Sequence, residues 1–162
     1  MNIRSKLVLA FTLGLVLNLW IGLHAIDVLK KAVGETSRVH LESSNIVTTS
    51  LTAQVHFKKQ VQEWKDILLR ADEPSLYGKH LRQFIFEEQL TRDSIKQLLP
   101  MLAQNSEASE HAHLFLAAHG QLGAQYREAL KAFVPGNQST IVQVDRAVLG
   151  IDRQPTDLLD LV

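Results

Sequence analysis

The chain has 162 residues, 46% hydrophobic and only 6% aromatic, with few glycines and prolines, a balance that suits one small helical domain better than a sandwich or barrel. Seventeen basic residues offset seventeen acidic ones, so no basic footprint marks a nucleic-acid partner. Cysteine is absent, which excludes disulfide frameworks, thiolate metal sites and cysteine nucleophiles while saying little about redox compartment.

From Leu7 to Leu23 no residue is charged, and His24, Ala25 and Ile26 extend the stretch to the ~20 residues a helix needs to cross about 30 Å of hydrocarbon. Trp20 lies near one end, where amphipathic rings favour the interface. The rival is a cleaved signal peptide. Its apolar region is typically about 7–15 residues, and the one small-x-small candidate, Leu23-His24-Ala25, carries a poor leucine. The reading is therefore an uncleaved transmembrane helix over 7–26, with Asn18 as a helix-contact residue. Arg4 and Lys6 precede the span, while Lys30 and Lys31, partly offset by Asp27, follow it. The short tail, 1–6, and the larger following domain favour the tail in the cytoplasm and residues 27–162 outside.

Beyond the span the dominant signal is helical spacing. Ile26, Leu29, Val33, His40, Val47, Leu51 and Val55 mark one face, which Phe57, Val61, Trp64 and Leu68 carry on. No proline interrupts Leu7 to Glu73, so the spacing predicts a first extracytoplasmic helix over about 27–71. At 1.5 Å per residue it would be on the order of 65 Å long. Asp72-Glu73-Pro74-Ser75 is the first stop, since proline disfavours helix in its predecessor. A second helix is predicted over about 76–103, with Tyr77, Leu81, Phe84, Ile85, Ile95, Leu98, Leu99 and Leu102 inward and Pro100 bending or ending its last turn. A third, over about 107–134 and starting at Ser106, repeats spacings of four and three through Ala108, Ala112, Phe115, His119, Leu122, Tyr126, Ala129 and Phe133. A fourth is predicted over about 139–162 through Ile141, Val144, Val148, Ile151, Pro155, Leu158 and Val162.

No segment alternates with strand period. The expected fold class is all-α: an N-terminal transmembrane helix continuing into an antiparallel, up-down-up-down four-helix bundle. A fourth helix as long as the first would need about 45 residues to regain the bilayer. The seam is still in phase at Val162, so the chain is expected to stop short of that return.

Two stretches carry a resemblance. Phe57-Lys58-Lys59-Gln60-Val61-Gln62-Glu63-Trp64-Lys65-Asp66-Ile67-Leu68-Leu69-Arg70 resembles a segment of the periplasmic sensory domains of bacterial methyl-accepting chemotaxis proteins. Val144 to Thr156 resembles the start of the return helix in the same receptors. With the spacing between them the resemblance covers roughly residues 5–162. It implies the sensory region of a bacterial inner-membrane receptor, with the sensor in the periplasm. It further implies a homodimer that takes a small-molecule ligand or a periplasmic binding protein at its membrane-distal end and signals through displacement of one helix. Neither the second membrane helix nor the cytoplasmic rod of such receptors lies within these residues, and related bundles also front histidine kinases and diguanylate cyclases. The other reading is a membrane-tethered bundle with a structural or cofactor-binding role.

Lys58, Gln62 and Lys65 share one helix face beside the Phe57/Val61/Trp64/Leu68 seam, and with Arg70 and Arg146 they are the candidate ligand-binding residues, suited to an anion. Helical spacing alone favours the plainer account, a solvated face held by local ion pairs. Arg153, seven residues beyond Arg146, is read the same way. Trp64 and His119 read as core, with a pH-sensitive role as the alternative for His119. Gly150 and Pro155 mark either a hinge or the end of the fourth helix. Seven histidines raise a metal site, but no two stand three or four apart, and Glu110-x-x-His113 lacks the second copy that a di-iron bundle needs. No metal or cofactor is expected. Phosphate loops, nucleophile elbows and zinc-protease helices are missing, so the reading is non-enzymatic.

Overall fold

The joints between helices fall where backbone chemistry demands them. A computed structural model describes residues 2–162 and resolves them into α1 (Ile3–Leu69), α2 (Pro74–Leu98), a 3-10 turn (Leu99–Leu102), α3 (Ser106–Leu130), α4 (Gln138–Ala147) and α5 (Arg153–Asp160), with no strand among the described residues. Glu73 is extended at φ −104°, ψ 109°, as a residue before proline prefers, and Pro74 opens α2 where its missing N–H costs nothing. Pro100 has no N–H for an α-helical bond, and α2 tightens there into the 3-10 turn. The cap of α3 is Asn105, one residue earlier than expected, its side chain accepting from the Ala108 N–H at 3.2 Å. Gly136, at φ +74°, makes the turn before Asn137, which caps α4 by accepting from the Ser139 N–H at 3.0 Å.

The fourth helix differs from its expected form. Instead of one helix over 139–162, α4 stops at Ala147 and α5 starts at Arg153. Gly150 sits at φ +76°, a left-handed conformation through which no α-helix continues. Had the helix continued, the Pro155 ring would have met the carbonyl of Ile151. The break places Pro155 in the first turn of α5, where an N–H has no partner to lose.

The chain divides into two units, one ending at Ser44 and the other running Asn45–Val162. In the first, the described side chains are exposed, Gly14 alone being half-buried, and the helix is long and apolar enough to cross a membrane. Its polar groups turn inward on their own helix: Thr12 Oγ1 donates to the Val8 carbonyl and Asn18 Nδ2 to the Gly14 carbonyl, both at 2.8 Å.

In the second unit α1 buries Ala53, Phe57, Gln60, Trp64, Ile67 and Leu68, a four-three rhythm. Phe57 meets Phe115 edge-on at 5.7 Å, Trp64 stacks on Tyr126 at 4.2 Å, and Tyr77 stacks on Phe133 at 6.0 Å. Such pairs contribute about 0.5–1.5 kcal/mol each beyond burial. The α3 seam buries Ala108, Ala112, Phe115, His119, Leu122 and Tyr126 as expected, while Ala129 is half-buried and Phe133 is buried just past the helix end. Two other stripes are not. Val47, Leu51 and Val55 remain 57%, 55% and 50% exposed, because the buried seam runs through Ile46, Ala53 and Phe57 instead. Ile85 is likewise exposed, and α2 buries His80, Phe84, Glu87, Glu88 and Thr91.

Candidate functional site

Charged and polar side chains collect at three places in the second unit. The first is the face that α1 turns toward α4 and α5. Lys65 and Arg146 line one groove of about 330 Å³ over an apolar floor that includes Leu68, Ile141 and Val142, with Asp145 at its edge. Lys58 lines a neighbouring cleft of about 130 Å³ between α1 and α5, facing Asp152 and Asp160. A third cavity of about 210 Å³ lies under the Gly150 turn and touches Trp64, Lys65, Tyr126 and Arg153. Two cations over an apolar floor can hold an anion, and Asp145 offsets part of that charge.

Of the five candidate ligand residues, the fold brings Lys65 and Arg146 together and sets Lys58 about two turns back along α1, in the neighbouring cleft. Gln62 and Arg70 lie elsewhere. Gln62 Nε2 donates to Asp66 Oδ2 at 3.3 Å and Arg70 Nε to Asp66 Oδ1 at 2.9 Å. The hydrogen bond from Arg70 lowers the pKa of the Asp66 carboxyl.

The second place is the joint between α1 and α2. His80 Nδ1 lies 2.7 Å from Glu63 Oε2, and Glu63, Asp66 and His80 each offer one donor atom, all within 4.8 Å of one another. Inspection of histidine spacing along single helices passes over this grouping, since His80 reaches the two carboxylates only after the chain has turned at Pro74. The i, i+3 pair Glu63/Asp66 just before that turn was the available signal.

The third place is the core itself. His119 Nε2 lies 2.7 Å from Gln60 Oε1, both residues fully buried, with the Phe115 ring stacked on the imidazole. Burial pushes the His119 pKa down to about 4, with the charges of Arg92 and Arg127 adding to the effect. Burial likewise raises the Tyr126 hydroxyl, assisted by Asp152. Glu88 is buried and receives two hydrogen bonds from Arg127 Nη1, at 2.8 and 3.0 Å. Gly123 makes room for it: a Cβ there would stand 2.0 Å from Glu88 Oε1. His56 Nδ1 lies 2.6 Å from Glu87 Oε2. The His119–Gln60, Arg127–Glu88 and His56–Glu87 contacts are ties between helices.

The chain is 32% identical over 104 residues to the methyl-accepting chemotaxis protein CtpH of Pseudomonas aeruginosa. It is similar to a chemoreceptor. The aligned part is 64% of this chain and 18% of CtpH, so the chain spans under a fifth of its relative's length. No protein-family model and no solved structure matches it. The likeness to CtpH fits a helical, receptor-related chain with one candidate membrane helix near its N-terminus.

Proposed function

We propose that the chain is the extracytoplasmic ligand-sensing region of a chemoreceptor-type signal transducer, non-enzymatic and anchored in the bacterial inner membrane through residues 7–26. The observation that carries this is the likeness to CtpH, joined to a lone exposed apolar segment in α1 and a separately packed helical unit after it. The unit is an antiparallel four-helix bundle in which α4 and α5 share the fourth leg. The cross-contacts support this. His56 meets Glu87 while Glu63 meets His80, so numbering falls along α2 as it rises along α1. Phe57 meets Phe115 while Trp64 meets Tyr126, so α3 rises with α1. Gln54 reaches Asp160 and Lys65 lies by Asp145, so the fourth leg falls again.

The groove between α1 and the fourth leg receives the ligand, a small anion or a surface of a periplasmic binding protein, on Lys65 and Arg146 with Lys58 beside them. Gln62 and Arg70 contribute only by leaving Asp66. The exposed Val47/Leu51/Val55 stripe is the face of a homodimer. The Gly150 turn and Pro155 act as the hinge across which ligand shifts the fourth leg by about 1–2 Å, a displacement of known switching size.

The test is a thermal-shift screen of the 162-residue chain in detergent against amino acids, organic acids and inorganic anions. One class should raise Tm, by an amount equivalent to about 2.7 kcal/mol at a hundred times its Kd, and Lys65→Ala with Arg146→Ala should abolish the shift. A shift that survives both substitutions would move the site. A chain that responds to nothing in the screen and stays strictly monomeric would contradict the sensor.

A further inference from the structure

We infer that Glu63, Asp66 and His80 form a binding site for a divalent transition-metal ion of the zinc class at the joint between α1 and α2. The donor set is one imidazole and two carboxylates, a combination that suits Zn²⁺ and its neighbours and leaves coordination positions for water. Three such ligands at about 2.1 Å from one ion stand about 3.4 Å apart. The present spacing, 2.7 Å for His80 Nδ1 to Glu63 Oε2 and within 4.8 Å for all three donors, brackets that value, so small side-chain rotations suffice.

The setting is more built than an acidic surface patch. Glu63 and Asp66 are i, i+3 on one face of α1, and His80 arrives from the second turn of α2. The three side chains are only 11–20% exposed. Asp66 is held from outside by Arg70 Nε and Gln62 Nε2, the hydrogen-bonded support that ligating carboxylates have in metal sites. A carboxylate has about four lone-pair positions, so these two bonds leave Asp66 able to ligate. Two carboxylates against one contacting guanidinium leave a net negative local charge for a dication. An ion here would fasten α1 to α2 across the Pro74 turn. This site shares no residue with the Lys65/Arg146 groove and meets the sensing proposal only through Gln62 and Arg70, which hold Asp66.

The test uses the 162-residue chain in detergent, free of any affinity tag and stripped with a chelator. Calorimetric titration with Zn²⁺ should give one ion per chain, and Co²⁺ should give visible d–d absorption. His80→Ala should abolish that absorption, and Asp66→Asn should weaken Zn²⁺ binding by at least the ~10-fold that loss of even an outer partner costs. His56→Ala, which disrupts the separate pair with Glu87, should leave binding unchanged. Should His80→Ala fail to fold by circular dichroism, Asp66→Asn decides. Absence of binding, or binding equal in wild type and Asp66→Asn, overturns the site and leaves His80–Glu63 as a structural hydrogen bond.

Discussion

The two tryptophans show how differently the two units of this chain satisfy the same physics. Trp64 is 3% exposed, packed between Phe84 and Tyr126, whereas Trp20 is 64% exposed and stacks on His24 one turn on. The unit ending at Ser44 exposes an apolar surface that water would not tolerate and lipid would. The unit from Asn45 buries its own, and can therefore keep polar groups inside, provided each finds a partner. Burial by the chain demands shape complementarity; burial by a bilayer demands only length and apolarity.

Matched substitutions in the two units sharpen this contrast. The largest effect is expected for Trp64→Ala, which should lower unfolding stability by about 3–5 kcal/mol, while Trp20→Ala stays within about 0.5 kcal/mol, both by denaturant titration in detergent. Next is the pH response of His119. The folded protein holds it neutral to about pH 4, whereas in the unfolded chain it takes a proton near 6.5. Stability should therefore be intact above pH 6.5 and fall as pH drops toward 4, by up to about 3 kcal/mol. His119→Gln should flatten that slope, and an unchanged slope would mean that other groups carry it.

A smaller effect comes from the glycines. Gly123→Ala pushes a methyl group into the buried Glu88 carboxylate that Arg127 holds and should cost about 1–3 kcal/mol, while Gly22→Ala, with nothing within 4 Å, should not destabilise. Smallest is Asp27→Asn, which breaks an exposed i, i+4 pair with Lys31 at 2.9 Å and should change stability by less than about 0.5 kcal/mol.

The same contrast explains what could be read from the sequence. The long apolar stretch of α1 and the α3 seam were legible because large apolar residues mark them without interruption. The buried faces of α1 and α2 were less so. Around residue 50 the seam uses Ala53, and on α2 it uses His80, Glu87, Glu88 and Thr91, so choosing the bulkiest apolar residues selects Val47, Leu51, Val55 and Ile85 instead. Thr91 is satisfied within α2 by the Glu87 carbonyl, but His80, Glu87 and Glu88 are met by Glu63, His56 and Arg127 from other helices. No local pattern announces such a partner. The break at Gly150 was visible as a glycine and a proline, but helical phase continues across it, which concealed the change from one helix to two. Of the candidate site, Lys65 and Arg146 share a groove. Gln62 shares a helix face with Lys65 and Arg70 follows just past the end of α1, yet both are drawn to Asp66, whose pull spacing alone did not weigh.

The claim on which the account rests is that residues 7–26 cross the membrane and Asn45–Val162 lie outside the cytoplasm. Because the chain has no cysteine, single cysteines introduced at Ser5 and at Ser139, expressed in a bacterium and probed with a membrane-impermeant maleimide, read this directly. The account predicts labelling at position 139 in intact spheroplasts and at position 5 only after lysis. Labelling of position 139 only after lysis would contradict it.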